Sequence, residues 1–177
     1  LEFQGRTLLE RALSLAKQVG GETRIVGQQE KFGRFGDVVE DIFAGRGPLG
    51  GIHAALRASQ TELNLVLAVD MPFLESGVVE LLLKEARKSG AVVTAPHAAG
   101  GNQPLCAVYR RAFADVAEAA LRAGRNKIDP LFAPVPTRLV SEEELRKAGF
   151  EPAVFDNVNT REEWEKEVQL NLWGMIN

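Results

Sequence analysis

The chain has 177 residues, 45% of them hydrophobic and 25% charged, a composition typical of one domain with a buried core. Its formal net charge is -3, so no basic excess indicates nucleic acid as a partner. The single cysteine, Cys106, excludes an internal disulfide and a cysteine-cluster metal site and favours the cytoplasm. No stretch is long and apolar enough to suggest a membrane partner, and no repeat divides the chain. We therefore expect one domain over residues 1–177.

The first part of the chain shows a helix, two short strands and a glycine-rich turn. Thr7 begins the helix as part of a capping box, and Gly20 ends it. Strands are predicted at 23–26 and 37–41, and the second ends in Asp41. The glycine-rich turn at 45–51 then leads into a helix that reaches residue 58.

Asp70 follows the most apolar stretch of the chain. Every residue from 63 to 69 except Asn64 is apolar, which predicts a strand buried on both faces. A carboxylate at the end of such a strand is costly unless it binds something, and ligands of open α/β sheets lie outside the carboxyl ends of the strands. Pro72 then stops the strand. The pattern is compatible with a metal-binding aspartate on a nucleotide's phosphates and equally with an aspartate that only starts a turn.

The remaining chain continues the alternation of strands and helices. Helices are predicted at 76–88, 112–123, 126–132, 141–149 and 160–169, and strands at 91–95, 103–109, 137–140 and 153–155. Residues 97–102 are predicted to form a loop, in which His97 has no evident partner, and residues 170–177 form a tail. This alternation predicts an α/β fold with a mostly parallel sheet and helices on both faces.

Three polar groups follow predicted strands. They are Asp41 with the glycine-rich turn, Asp70, and Asn157 with Asn159. Because the carboxyl ends of the strands of one sheet meet at one edge, we expect the three groups to share a cleft. Glycines allow backbone N–H groups to approach a ligand closely, and a helix N-terminus favours an anion. The alternative for the glycine-rich turn is a strand-to-helix connection without a ligand.

Five segments, in this order, resemble the molybdenum cofactor guanylyltransferases. They are LEFQG at 1–5, GPLGGI at 47–52, VDMPF at 69–73, QPL at 103–105 and NVNT at 157–160. The resemblance implies a three-layer nucleotidyltransferase fold of Rossmann type, similar to nucleotide-diphospho-sugar transferases. It also implies transfer of GMP from GTP to molybdopterin, with release of pyrophosphate and with Mg²⁺ as cofactor.

The resemblance assigns roles to individual residues. Asp70 is implied as the catalytic residue and the metal ligand. The residues implied to bind GTP are Asp41, Asp70, Gly47, Pro48, Leu49 and Gly50, and those implied to bind molybdopterin are Gln103, Pro104, Asn157 and Asn159. An asparagine that contacts guanine in the family has no match at 26–29, so that role is not carried over.

One departure from the family leaves alternatives open. Family members begin with a strand and a glycine-rich loop that carries an arginine and a lysine, just before the segment matched by 1–5, and we expect such a stretch to precede Leu1. Two alternatives are a nucleotidyltransferase that uses CTP or a sugar phosphate, and a non-catalytic nucleotide-binding or partner-delivery domain. Delivery proteins or acceptor molybdoenzymes are the macromolecular partners that the resemblance implies.

Overall fold

The central sheet is built from strands that lie far apart in the sequence. The computed structural model describes residues 2, 3 and 6–157. In that part of the chain the largest sheet has the order β5–β8–β6, where β5 is Leu63–Leu67, β8 is Cys106–Arg110 and β6 is Val93–Ala98. Strand β9 (Thr137–Ser141) pairs with β6 on its other edge, and β7 (Gly101–Asn102) forms a hairpin with the end of β6.

Strands β5, β6 and β9 run in the same direction, and β8 is reversed between β5 and β6. Leu67 lies opposite Cys106, and Val93 lies opposite Tyr109, in two antiparallel ladders. The ladder between β6 and β9 is parallel. The carboxyl ends of β5, β6 and β9 and the start of β8 therefore lie at one edge of the sheet, and the predicted α/β fold is confirmed.

Two smaller ladders complete the strands of the described residues. β3 (Ile25–Val26) and β4 (Val38–Val39) are parallel, with Ile25 opposite Val38. β1 (Glu2–Phe3) and β2 (Arg6–Thr7) are antiparallel. The predicted strand at 37–41 is thus shorter than expected and leaves Asp41 in the loop after β4.

Helices cover both faces of the sheet. They are α1 (Leu8–Gln18), α2 (Gln29–Phe32), α3 (Pro48–Ala58), α4 (Ser76–Ser89), α5 (Phe113–Arg122) and α6 (Glu142–Lys147). Alternate residues of β8 point to opposite faces. Ala107 and Tyr109 join a core with α3 and α5, whereas Cys106 and Val108 join a core with α4 and α6. The three layers follow from this alternation, and none of the described helices has both the length and the apolar content needed to cross a bilayer.

The predicted strand at 153–155 is wrong, because Pro152–Phe155 is a 3-10 helix. The Val154 N–H donates to Glu151 O, and the Asp156 N–H donates to Ala153 O, so the turn satisfies its own backbone groups. Val154 and Phe155 are still buried, against α4 and α6. The apolar residues therefore indicated burial correctly but not the backbone conformation.

Two further boundaries differ from the predictions. The strand expected at 103–109 begins only at Cys106, because the Cys106 N–H donates to Gln103 O and closes a turn. The loop expected at 97–102 is instead the β6–β7 hairpin. Its two connecting residues, Ala99 and Gly100, have φ values of 53° and 82°, the positive values that a two-residue type I′ turn requires.

A large cavity lies between β3 and β5, which do not pair with each other in the described part of the chain. Its volume is about 740 Å³, and we call it the strand slot. Its lining includes the whole of β5, the whole of β3, and apolar residues of α1 and α3 such as Leu13 and Ile52. Strand edges carry N–H and C=O groups that need partners, so the slot is suited to an extended segment of polypeptide.

Candidate functional site

Asp70 lies in the turn that follows β5, at the edge where the strands end. The ladder between β5 and β8 continues one step beyond β5, because the Ala68 N–H donates to Leu105 O at 2.7 Å. On the other side of the turn, Arg11 of α1 donates through Nη2 to Pro72 O at 3.1 Å. The sheet and α1 therefore both hold the turn that carries Asp70.

One carboxylate oxygen of Asp70 is buried without a partner. Oδ1 is screened from solvent and accepts no hydrogen bond from any residue that the structure describes. A buried charged oxygen without a donor is destabilising by about 1–3 kcal/mol or more. An aspartate that only starts a turn normally accepts a hydrogen bond from the backbone of that turn. The absence of such a bond within the described residues favours a ligand-binding role for Asp70.

The donor set fits a metal ion that is bound jointly with a ligand. The described residues contain no group of three or more His, Cys, Asp or Glu side chains that could hold a metal. A metal at Asp70 would therefore take its other ligands from water and from the phosphates of a bound nucleotide. Mg²⁺ is bound in this manner, through one or two carboxylates and substrate phosphates, and the orphaned Asp70 Oδ1 is a suitable oxygen for it.

Close packing explains the glycines at the start of α3. A Cβ atom at Gly50 would lie 3.2 Å from Phe43 O, and one at Gly51 would lie 3.1 Å from Val26 Cγ1 and 3.7 Å from Asp41 Oδ1. Gly47 has a φ of 64°, which favours glycine. The Asp41 carboxylate thus lies against the first turn of α3, while the contacts that favour glycine at positions 50 and 51 are those to Phe43 O and Val26.

Only some of the predicted residues of this turn can offer groups to a ligand. The Gly50 and Gly51 N–H groups donate to Gly47 O, and Pro48 has no N–H. Leu49 is fully buried in the core with α3 and α5, so its side chain cannot contact a nucleotide. The backbone donors that the described residues leave for a ligand at this helix start are therefore those of Gly47 and Leu49.

The strand slot brings the predicted groups together at its open end. Asp41, Gly47, Pro48 and Gly51 line it together with Val69, which directly precedes Asp70. A second pocket, of about 250 Å³, lies between α1 and the Asp70 turn and is lined by Arg11, Val69, Met71 and Pro72 among others. The glycine-rich turn and Val69 thus line one cavity, although they are distant in sequence, and Asp70 itself is not among the residues that line either pocket.

Gln103 and Pro104 lie at the same edge, beyond β5 and on the far side of the Asp70 turn. The Gln103 N–H donates to Pro96 O at 2.9 Å, and its side-chain Nε2 donates to Ala98 O at 2.9 Å. The buried Tyr109 hydroxyl donates to Pro104 O at 2.8 Å, and burial raises the pKa of Tyr109. The side-chain carbonyl of Gln103 is the group that this residue can direct towards a ligand.

The predicted asparagine pair is only partly within the described residues. Asn157 is exposed and follows the 3-10 helix Pro152–Phe155. Asn159 lies outside the described residues, as do the predicted helix at 160–169 and the tail at 170–177. The expectation that Asn157 and Asn159 reach the cleft stays a prediction.

Two contributions to the site were missed in the sequence. Arg11 lies on the face of α1 that also carries Leu8 and Leu15, and all three line the smaller pocket. A polar residue at that helical spacing within an apolar face was a usable signal. His97, which has no evident partner in the sequence, is bonded to Asn102 in the hairpin, and only the turn geometry could have shown this contact.

Comparison with known proteins identifies relatives that cover most of the chain. Residues 1–136 match the family described as the MobA-like NTP transferase domain. A molybdenum cofactor guanylyltransferase from Desulfosudis oleivorans is 34% identical over 166 residues, which are 93% of this chain and 82% of that protein. A probable molybdenum cofactor guanylyltransferase from Pelotomaculum thermopropionicum is 36% identical over 162 residues, 90% of this chain and 78% of that protein.

Solved structures agree with the fold. The crystal structure of molybdopterin-guanine dinucleotide biosynthesis protein A from Archaeoglobus fulgidus has a TM-score of 0.79 and 31% identity, covering 94% of this chain and 86% of that chain. A cytidylyltransferase for 2-C-methyl-D-erythritol 4-phosphate from Thermus thermophilus, at a TM-score of 0.67 and 20% identity over 92% of this chain and 88% of that one, shows the fold alone. With the family match over residues 1–136 and these relatives, the chain belongs to the MobA-like NTP transferase family.

Proposed function

We propose that this protein transfers GMP from GTP to the terminal phosphate of molybdopterin, forming the guanine dinucleotide cofactor and releasing pyrophosphate. The observation that carries the proposal is the buried, unpartnered Asp70 Oδ1, which directly follows Val69 in the lining that Val69 shares with the glycine-rich turn. The names of the relatives from Desulfosudis oleivorans and Archaeoglobus fulgidus support this substrate pair. Such a transfer requires binding and alignment of two substrates, and we assign separate groups of residues to each.

Asp70 is the residue that would hold Mg²⁺ on the phosphates of GTP. When bound, the ion would act as a Lewis acid and neutralise charge on the phosphates. The chain's contribution is to keep the carboxylate in place, through the backbone bond from Ala68 to Leu105 O and the bond from Arg11 to Pro72 O. A preorganised charge of this kind contributes to the barrier because it needs no rearrangement during the reaction.

The first turn of α3 would bind the nucleoside part of GTP. The Asp41 carboxylate can accept hydrogen bonds from hydroxyl or N–H groups, and it lies against Gly50 and Gly51 in this turn. Gly50 and Pro48 would leave room for the nucleoside at this turn, since Gly50 has no side chain and Pro48 has no N–H.

Gln103, Pro104, Asn157 and Asn159 would bind molybdopterin. The Gln103 carbonyl and the asparagine amides offer the hydrogen-bond groups that a pterin ring needs. No covalent enzyme intermediate is required, because the acceptor phosphate itself attacks the α-phosphorus. Catalysis then depends on holding the two phosphates close and in line.

The strand slot supports a further part of this proposal. A strand between β3 and β5 would pair with both open edges and would cover the apolar lining, which includes Leu13 and Ile52. We propose that such a strand and the phosphate-binding loop that follows it complete the triphosphate site in the full-length protein. Delivery proteins or acceptor molybdoenzymes remain the proposed macromolecular partners.

The test is pyrophosphate release by the full-length protein with molybdopterin and Mg²⁺. Release with GTP that depends on molybdopterin, together with thermal protection by GTP and not by CTP, is the expected result. Protection by CTP, with release only when CTP is supplied, would assign the protein to cytidylyl transfer instead. Nucleotide protection without any release under these conditions would favour the non-catalytic alternative.

A further inference from the structure

Three hydrogen-bonded side chains connect the β6–β7 hairpin to the segment after α5. His97 Nδ1 lies 2.8 Å from Asn102 Oδ1, and Asn102 Nδ2 donates to Asp129 Oδ1 at 3.0 Å. His97 and Asp129 are exposed, and Asn102 is half-buried. These residues lie beside Gln103, in the half of the cleft assigned to molybdopterin, and the proposed function gives them no role.

The chemistry of the three groups determines which nitrogen of His97 carries the proton. An ionised carboxylate only accepts hydrogen bonds, so Asn102 must point its NH₂ group at Asp129 and its carbonyl oxygen at His97. A carbonyl oxygen also only accepts, so His97 Nδ1 must be protonated. The neutral imidazole therefore presents Nε2 as an unprotonated acceptor, and no described residue bonds to it.

The hairpin that carries His97 is held firmly. Ala99 has a φ of 53°, in the left-handed region that residues other than glycine rarely adopt. The Ala99 N–H donates to Glu142 Oε1 at 2.9 Å, and Gln103 Nε2 donates to Ala98 O. A strained turn that is fixed by side chains from two other segments indicates that the position of the hairpin matters.

The strand register places His97 at a useful distance from Asp70. The Gln103 N–H donates to Pro96 O in β6. Two residues later in the same turn, Leu105 O accepts from the Ala68 N–H, directly after β5. Strand β6, which carries His97, and strand β5, which leads to Asp70, are thus separated by two strand spacings, or about 10 Å across the sheet. Such a gap has room for two phosphates whose reacting atoms lie about 3–3.5 Å apart, the distance that attack requires.

We propose that His97 Nε2 takes the proton of the attacking phosphate monoester of molybdopterin, and that Asn102 and Asp129 are positioning residues that set the tautomer of His97. This inference rests on the proposed function. The monoester monoanion carries one P–OH proton, which passes to the Nε2 lone pair and leaves a dianion and an imidazolium. An oxygen of the dianion then forms the bond to the α-phosphorus while the bond to pyrophosphate breaks, and the exposed imidazolium releases its proton to water.

The test compares His97→Ala, Asp129→Asn and the control Glu143→Gln in the full-length protein. Glu143 is an exposed acid on α6, paired only with Lys147 among the described residues. His97→Ala should lower kcat/KM for molybdopterin by about 100-fold, the lower end of the range for general-base catalysis, with an unchanged KM for GTP. Asp129→Asn allows the Asn102 amide to reverse, so ¹⁵N NMR of His97 should show the proton moving from Nδ1 towards Nε2, with a smaller loss of rate.

The outcomes separate this inference from the proposed function. Activity of His97→Ala within threefold of wild type, or an unchanged tautomer in Asp129→Asn, would overturn the inference and leave guanylyl transfer intact. If the wild-type protein transfers no GMP at all, the proposed function fails, and molybdopterin binding decides the inference instead. A titration with molybdopterin should shift the ¹⁵Nε2 resonance of His97, and no shift at saturation would refute the contact.

Discussion

Replacement of Asp70 by alanine is expected to stabilise the free protein while it lowers activity strongly. The reason is the buried Asp70 Oδ1, which no described residue satisfies. Removal of a group that is buried without a hydrogen bond relieves a cost of about 1–3 kcal/mol. Since Asp70 as a whole is half-buried, we expect the lower end of that range, about 1 kcal/mol.

The same substitution removes the ligand's effect on stability. For a domain of this size, 1 kcal/mol shifts Tm by about 2–4 °C, so the Asp70→Ala protein should melt about 2–4 °C higher than wild type without ligand. GTP with Mg²⁺ at a hundred times its Kd adds about 2.7 kcal/mol to wild-type stability. Most of this gain should be absent from the variant. In the transfer reaction, loss of one preorganised charge should lower kcat by about 10²- to 10³-fold.

Differential scanning calorimetry with and without Mg²⁺ and GTP measures both effects. Asp37→Ala is the matched control, because Asp37 is an exposed aspartate at the start of β4 and makes no described side-chain contact. The control should change neither Tm nor protection by more than the error of the measurement. A lower Tm for ligand-free Asp70→Ala, combined with full protection by the nucleotide, would refute the reasoning about the orphaned oxygen.

Three other predictions concern the surroundings of the site. Gly51→Ala places a methyl group 3.1 Å from Val26 Cγ1, so the first turn of α3 must shift beside Asp41, and KM for GTP should rise several-fold in steady-state assays while the fold persists in circular dichroism. Tyr109→Phe removes the buried hydroxyl's hydrogen bond and should lower the free energy of unfolding in urea by about 1 kcal/mol. The pKa of Glu118 is lowered from 4.5 to about 2, first by Arg122, so its stabilising effect is present above pH 4.5 and is lost as the pH falls towards 2. Tm of Glu118→Gln should therefore fall less than that of wild type over this pH window, and an equal fall would contradict the assignment.

Local patterns were sufficient for the elements that carry the site. The capping boxes at Thr7 and Ser141 correctly marked two helix starts, because a cap depends on residues within one turn. The apolar run before Asp70 correctly indicated a strand, but β5 is half-buried along its whole length rather than buried on both faces. These signals work at short range, so one sequence is enough to read them.

The direction of β8 and the hairpin before it were not predicted, and both depend on the length of one connection. A connection of two residues, Ala99 and Gly100, forces the chain to return antiparallel beside β6, whereas a parallel return requires a long crossover. The segment was predicted to be a loop, so the reversal did not follow. The buried 3-10 helix at Pro152–Phe155 was missed because an apolar run of that length has the same signature in a strand and in a turn.

The sequence by itself determined the α/β alternation, the helix caps and the position of Asp70 directly after a strand, since these depend on neighbours along the chain. Only the tertiary structure decided that Asp70 Oδ1 has no partner among the described residues, that the Leu49 side chain belongs to the core, and that His97, Asn102 and Asp129 form one hydrogen-bonded chain. Each of these properties depends on atoms that distant segments bring together, and hydrophobic periodicity carries no information about such contacts.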